Sequence, residues 1–143
     1  MKRLLPRILV LLILFITFPA EWVASLIPGF NRWFDAVISP PWVHVVIHFS
    51  MFTSLSIVAI WLFEYRKQPI RISQVLTVVM AVAFLQEALQ MLGGRHGLGG
   101  DELLDFGVDL IGGTFGYALY YLASKLWNQN GRSRPKERPF PES

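Results

Sequence analysis

Six polar side chains interrupt otherwise apolar stretches of the sequence and are the residues best suited to chemistry. They form three pairs whose members lie three or four residues apart, so each pair shares one face of a helix. Imidazole, carboxylate and amide groups in such pairs can ligate a metal ion, transfer protons or hydrogen-bond a polar ligand. The six residues are His44, His48, Glu87, Gln90, Asp105 and Asp109.

The composition indicates that membrane-spanning helices position these residues. Hydrophobic residues make up 53% of the 143 residues and charged residues only 16%, compared with roughly 25% charged residues in a soluble domain. The length corresponds to a single domain. The absence of cysteine excludes disulfides, a thiolate zinc site and a cysteine nucleophile. Nothing in the composition indicates a cofactor or a nucleic-acid partner.

Four apolar segments predict an all-α, four-transmembrane-helix bundle, because each approaches the roughly 20 residues that a bilayer requires. The predicted spans are about 8–28, 43–63, 72–92 and 103–126. We interpret the first span as a retained helix rather than a signal peptide, because its small residues are poorly placed for cleavage. A short, aromatic-rich interfacial segment is expected between the first two spans. The basic, proline-containing tail, 128–143, is expected to be disordered.

The lysine and arginine residues are distributed unevenly and define a predicted orientation. Eleven of the thirteen lie towards the two chain ends or between the second and third spans, and only Arg32 and Arg95 lie in the other loops. Short cytoplasmic loops carry the excess of basic residues. Both termini are therefore predicted to be cytoplasmic, in a multi-pass protein of the bacterial plasma membrane.

This orientation places the three polar pairs at one depth. The second and fourth spans run inward and begin near His44 and Asp105, whereas the third span runs outward and ends near Glu87. All three pairs are therefore predicted to lie in the outer leaflet and to face the interior of the bundle, since ionisable residues in spans rarely face lipid.

Glycines continue the acidic face of the fourth span. Gly112 and Gly116, with Gly113 beside them, give the Gly-x-x-x-Gly spacing that allows helices to approach closely in lipid. These three residues are predicted to serve helix packing. The sequence leaves open whether they pack within one chain or in a homo-oligomer.

The order of these motifs resembles the VanZ-like family of small bacterial membrane proteins, named for a member associated with teicoplanin resistance. Glu87 and Gln90, followed by Arg95 in a glycine-rich loop, are similar to the Glu-x-x-Gln pair and loop arginine of the family. Asp105 and Asp109, followed by spaced glycines, are similar to its fourth span, with Asp109 in the place of an Asn or similar residue.

The second span departs from the family pattern. His48 matches the family's histidine, but His44 and Val45 replace its usual Asp and Lys, and Phe52 replaces its Tyr. The resemblance covers roughly residues 42–127 and implies that residues 1–127 form a VanZ-like four-helix membrane domain with a role in the cell envelope.

Three interpretations of the polar residues stay open. They could form a ligand site for a lipid headgroup, a lipid-linked precursor or a lipopeptide or glycopeptide, in an antibiotic-resistance type of role, with Arg95 and the loop amides binding an anionic part. They could form a purely structural polar cluster in a scaffold or partner-binding membrane protein. They could also form a membrane-embedded hydrolase acting on a lipid-linked phosphate or ester, with His44 and His48 as candidate metal ligands. The ligand-site prediction comprises His48, Glu87, Gln90, Arg95, Asp105 and Asp109.

Overall fold

The computed structural model describes residues 4–18, 23, 26–27, 29–38, 40–92 and 100–132, and these residues form five α-helices without a strand. The helices are α1 (Leu4–Ile16), α2 (Phe30–Ile38), α3 (Pro41–Tyr65), α4 (Ile72–Leu92) and α5 (Gly100–Arg132). The predicted all-helical class is confirmed. Two of the helices, α3 and α4, are long and apolar enough to cross a membrane.

Local sequence explains where α3 begins and ends. Pro41 occupies the first turn of α3, where its missing N–H would have had no helical partner. The helix ends at Tyr65, and the chain turns at Arg66 and Lys67, with Lys67 at a positive φ of 54°. Six residues then connect α3 to α4, which allows the two helices to pack side by side.

The first predicted span differs from the structure. The described helix α1 ends at Ile16, and the amide of Phe18 donates to the carbonyl of Phe15 in a tighter, three-residue turn. Pro19 follows directly in the sequence, and a proline disfavours helical geometry in the residue before it. A continuous helix over 8–28 was therefore the wrong expectation, although most of 19–28 lies outside the described residues.

The carboxyl-terminal boundary also differs. The structure continues α5 to Arg132, so residues 128–132, predicted as part of a disordered tail, are helical. The first proline of this region is Pro135, so nothing earlier removes a backbone donor from the helix. Residues 133–143 lie outside the described residues.

The relative directions of the helices follow from their contacts. His44 contacts Asp105 and His48 contacts Asp109, both at a sequence separation of 61 residues. A constant separation means that α3 and α5 run parallel. The chain therefore reverses twice, with α4 running in the opposite direction between them, and α3 packs most extensively against α5.

The core lies where α1, α3 and α4 meet. Ile16 of α1 packs with Phe52 and Leu55 of α3 and with Val79 and Ala83 of α4, and all are nearly inaccessible to solvent. Partly buried side chains from α1 and α5 surround this cluster. The cluster joins α1, α3 and α4, and α5 packs against it through the partly buried Phe106 and Leu110.

The surface of the bundle is unusually apolar, whereas several buried side chains are polar. Leu92, Leu103 and Trp127 are more than 70% exposed, whereas Asp109 and His48 are only 1% and 3% exposed. Soluble monomers rarely expose contiguous apolar patches of large size. The described surface therefore has the character of one that contacts a membrane or another protein.

Candidate functional site

Polar side chains converge at the end of the bundle where α3 and α5 begin and α4 ends. Five residues, which we call the polar site, account for the hydrogen bonds described there: His44, His48, Gln86, Asp105 and Asp109. Three separate helices supply them, because the two parallel helices and the antiparallel α4 bring their polar ends to one place.

Two His–Asp hydrogen bonds form successive layers of the polar site. Nε2 of His44 lies 3.0 Å from Oδ2 of Asp105, and Nδ1 of His48 lies 2.8 Å from Oδ1 of Asp109. The imidazole rings of the two histidines lie 4.3 Å apart, centroid to centroid. The i, i+4 spacing on each of two parallel helices produces this repeated pairing.

Exposure decreases from one layer to the next. The side chains of His44 and Asp105 are 33% and 16% exposed, whereas those of His48 and Asp109 are 4% and 1% exposed. The polar site is therefore open at the end of the bundle and closed towards its middle. Phe52, fully buried one turn below His48, begins the apolar core beneath the site.

The hydrogen bonds of His48 determine which of its ring nitrogens carries the proton. When Asp109 is ionised, its carboxylate only accepts hydrogen bonds, so Nδ1–H of His48 donates to Asp109 and Nε2 retains a lone pair. The side-chain amide of Gln86 donates to that Nε2 over a long 3.4 Å. The Nε2 lone pair is thus directed into the site and only weakly engaged.

Two buried oxygen atoms of the site accept no hydrogen bond from the described residues. They are Oδ2 of Asp109 and Oε1 of Gln86. A buried polar atom without a partner costs about 1–3 kcal/mol, a cost that a bound water or ion can remove. The site therefore has a surplus of acceptors and favours a ligand that carries positive charge or donor groups.

Glycines allow the close approach of α5 to its neighbours just below the polar site. A Cβ atom added at Gly112 would lie 2.6 Å from the carbonyl oxygen of Phe49, and one added at Gly116 would lie 2.6 Å from that of Thr53. The hydroxyl of Thr53 donates to the carbonyl of Gly112 over 3.0 Å. Both glycines of the Gly-x-x-x-Gly motif thus face α3 of the same chain.

Gly113 faces a different neighbour. A Cβ atom added there would lie 2.7 Å from a methyl group of Val79 on α4. The three predicted packing glycines are therefore divided between two helices, with Gly113 on the α4 side.

The structure brings three of the predicted ligand-site residues together: His48, Asp105 and Asp109. Glu87 and Gln90 are half-buried on the last turns of α4, at the same end of the bundle. Arg95 and the glycine-rich loop around it lie outside the described residues.

Sequence reasoning missed Gln86. The prediction paired Glu87 with Gln90, three residues apart, and did not include Gln86, which directly precedes Glu87. Its signal is periodicity, because Val75, Val79, Val82 and Gln86 follow one another at intervals of three or four residues and are all buried. A polar residue that continues an apolar stripe is expected to face the interior.

Three side chains of the polar site can offer ligand atoms to one metal ion. One potential ligand atom from each of His44, His48 and Asp105 lies within 4.8 Å of the other two. Val45, Phe49 and Ile111 contribute to an entirely apolar groove between α3 and α5.

Comparisons of the chain with protein-family models, with curated proteins and with solved structures give no match.

Proposed function

We propose that this chain is a multi-pass protein of the bacterial plasma membrane whose polar site faces outward and binds the headgroup of an amphiphilic, lipid-linked ligand. The observation that carries this proposal is the pair of stacked His–Asp layers, open at one end and with unpartnered acceptors beneath. Polar groups of this kind inside a membrane-spanning bundle are costly, and a ligand-binding role accounts for their presence.

The parallel packing of α3 and α5 supports a third span. Contacts between the two helices continue from His44 and Asp105 down to Ser56 and Gly116, so the two helices share the same depth over this length. If α3 crosses the bilayer, α5 crosses beside it in the same direction. The exposed face of α5 is rich in leucine and aromatic side chains, as a lipid contact requires. The segment beginning with α1 is proposed as the fourth span, which would put both termini on one side.

Charge supports the outward orientation of the polar site. Arg66, Lys67 and Arg71 follow the carboxyl end of α3, the end opposite to His44. His44 and Tyr65 are about 30 Å apart along the helix at 1.5 Å per residue, which matches the thickness of the hydrocarbon core. Basic residues favour the cytoplasmic side, so the polar site belongs at the outer side.

The amphipathic helix α2 fits the outer interface. Phe30 and Trp33 stack with their ring centroids 5.5 Å apart, and both side chains are exposed. The helix directly precedes α3 and hence lies near the end that carries the polar site. A short amphipathic helix with exposed aromatic residues is typical of a segment lying in the headgroup region.

The chemistry of the site indicates the kind of headgroup. Two carboxylates and the side-chain oxygen of Gln86 can accept hydrogen bonds from a ligand. An ammonium group or several sugar hydroxyls therefore suit the described residues better than an anion alone. The adjacent apolar groove can accommodate the start of an acyl or prenyl chain. A single amphiphile can thus occupy both features, and Arg95 would serve an anionic part such as a phosphate.

The VanZ-like assignment and the link to glycopeptide resistance belong to this proposal. They rest on the order of motifs from His48 through Gly116. A cell-envelope role agrees with a site that takes the headgroup of a lipid-linked molecule at the outer surface.

Photo-crosslinking tests the proposed binding function. Full-length protein in lipid nanodiscs is exposed to phosphatidylethanolamine or phosphatidylglycerol carrying a diazirine near the start of one acyl chain, and labelled peptides are mapped. We expect the amine lipid to label the groove near Phe49 and Ile111 at least fivefold more than the glycerol lipid does. Asp105→Asn should remove that preference.

Glu64→Gln is the matched control, because it makes the same chemical change at the other end of α3. It should leave the labelling preference intact. Equal labelling of all lipid-facing surfaces by both lipids would refute headgroup recognition. If Asp105→Asn lowers the amount of folded protein in the membrane as much as the labelling, the His–Asp layers serve helix packing alone.

A further inference from the structure

We infer that the polar site holds a divalent transition-metal ion, with His44, His48 and Asp105 as ligands and Asp109 as the group that orients His48. This inference concerns the same residues as the proposed function, but it does not depend on the identity of the amphiphilic ligand. It rests on the position of the three side chains, on the tautomer of His48 and on the unpartnered buried acceptor of Asp109.

The potential ligand atoms of His44, His48 and Asp105 could bind one ion if they moved slightly closer together. Three atoms that are at most 4.8 Å apart lie within about 2.8 Å of a common centre. Zinc is bound at about 2.0–2.2 Å by imidazole nitrogen and carboxylate oxygen. Each ligand atom would therefore move inward by no more than about 0.8 Å. With Nε2 as the ligand atom of His44, the ion would replace the His44–Asp105 hydrogen bond, and the proton on Nε2 would move to Nδ1. Both side chains are partly exposed, so they can adjust.

The bond between His48 and Asp109 is the strongest chemical argument. Histidine ligands of metals almost always donate their other ring N–H to a carboxylate, a carbonyl or a water. Nδ1–H of His48 donates to the buried carboxylate of Asp109 over 2.8 Å, which leaves Nε2 as the coordinating atom. Gln86 contacts that nitrogen at only 3.4 Å, so an ion would displace a weak hydrogen bond.

Charge supports the same conclusion. With both carboxylates ionised and both imidazoles neutral, the polar site would carry a formal charge of −2, and the part of it on Asp109 would be buried away from water. A divalent cation would balance that charge. Oδ2 of Asp109 has no partner in the described residues. The cation would attract the negative charge of this carboxylate across the intervening His48 ring.

The ligand set indicates which metals fit. Two imidazoles and one carboxylate are typical of Zn²⁺ sites and of non-haem Fe²⁺ sites, whereas Mg²⁺ and Ca²⁺ prefer oxygen ligands. Three protein ligands leave a coordination position open. The exposed side of His44 and Asp105 places that position at the mouth of the polar site, where the proposed headgroup binds.

Metal binding to the purified full-length protein tests this inference. The protein in mild detergent is stripped with a chelator and titrated with Co²⁺, which reports tetrahedral nitrogen and oxygen coordination by its visible absorption, and then with Zn²⁺ in competition. We expect one ion per chain. Asp105→Asn and His48→Gln should each weaken Zn²⁺ binding by at least 100-fold, and Asp109→Asn by about 10–100-fold.

Glu64→Gln again serves as the matched control and should bind Zn²⁺ like the unaltered protein. Thermal unfolding with and without Zn²⁺ gives a second readout. A cooperative transition shows that the variant is folded, and a shift of its midpoint on adding Zn²⁺ reports binding. The inference is overturned if the unaltered protein binds no stoichiometric ion, or if binding survives Asp105→Asn and His48→Gln together. The lipid-labelling experiment is repeated on the chelator-treated protein. If the preference for the amine lipid remains there, the proposed lipid binding stands even where the metal inference fails.

Discussion

Replacement of Gly112 or Gly116 by alanine should destabilise the bundle, because each added methyl group would meet the backbone of α3. The new Cβ would lie 2.6 Å from a carbonyl oxygen of Phe49 or Thr53, whereas ordinary contacts begin at 3.4 Å. The difference, 3.4 minus 2.6, means that α5 must move away by about 0.8 Å. A backbone atom cannot rotate aside, so the helix as a whole must move.

The size of the effect follows from this displacement. Overpacking of a close contact costs about 1–3 kcal/mol. A shift of about 0.8 Å would also stretch the Thr53–Gly112 hydrogen bond beyond its usual range, and such interhelical bonds contribute about 0.6 kcal/mol on average. The better helix propensity of alanine offsets about 0.5–1 kcal/mol of this cost. We therefore expect each variant to lower the free energy of unfolding by about 0.6–3 kcal/mol.

Gly107→Ala is the matched control in the same helix. A Cβ added at Gly107 meets nothing within 4 Å, so alanine should raise stability by about 0.5–1 kcal/mol through its better helix propensity. Unfolding in mixed micelles of rising dodecyl sulfate content, followed by tryptophan fluorescence, measures all three variants. The reasoning fails if Gly112→Ala and Gly116→Ala prove as stable as Gly107→Ala.

Three further predictions use the same purified protein or intact cells. His48→Ala should lower the free energy of unfolding by about 3–5 kcal/mol, because it leaves the buried Asp109 carboxylate without its partner; addition of Asp109→Asn should restore part of this loss, and simple additivity of the two changes would contradict the pairing. Thr53→Val, which keeps the side-chain shape, should cost about 0.6–1.7 kcal/mol in the same unfolding assay, and an unchanged midpoint would show that the hydroxyl contributes nothing. Since the chain has no cysteine, Trp33→Cys should react with an impermeant maleimide in intact cells and Gln68→Cys only after lysis; the reverse pattern would invert the proposed orientation.

The ends of α3 and the start of α4 were predictable because proline or basic residues mark them. The predicted third span, 72–92, coincides with α4, and the predicted 43–63 lies within α3. Arg66, Lys67 and Arg71 mark the turn between the two helices, and prolines mark the start of α3. Between Trp127 and Pro135 no proline marks the end of α5, and the predicted end of the span at about residue 126 was too early.

Individual contacts were less predictable than the end of the bundle at which the polar residues meet. Reversal of direction from helix to helix is enough to bring His48, Asp105 and Asp109 to one end, and the prediction of a common depth used nothing more. The pairing of His44 with Asp105 depends on how α5 is rotated and shifted against α3. That arrangement is set by close contacts at glycines, whose partners are not encoded within either helix alone.

The histidines of α3 and the aspartates of α5 each repeat every four residues, so hydrogen bonding alone does not define one alignment of the two helices. Asp101 precedes Asp105 by four residues, so a slip of α5 by one turn would bring aspartates opposite both histidines again. The same slip would put Val108 in the place of Gly112, against the carbonyl of Phe49, and Asp109 in the place of Gly113, against Val79. The His–Asp pairs alone would thus permit two alignments of α5 against α3. The close contacts at Gly112 and Gly113 exclude one of them.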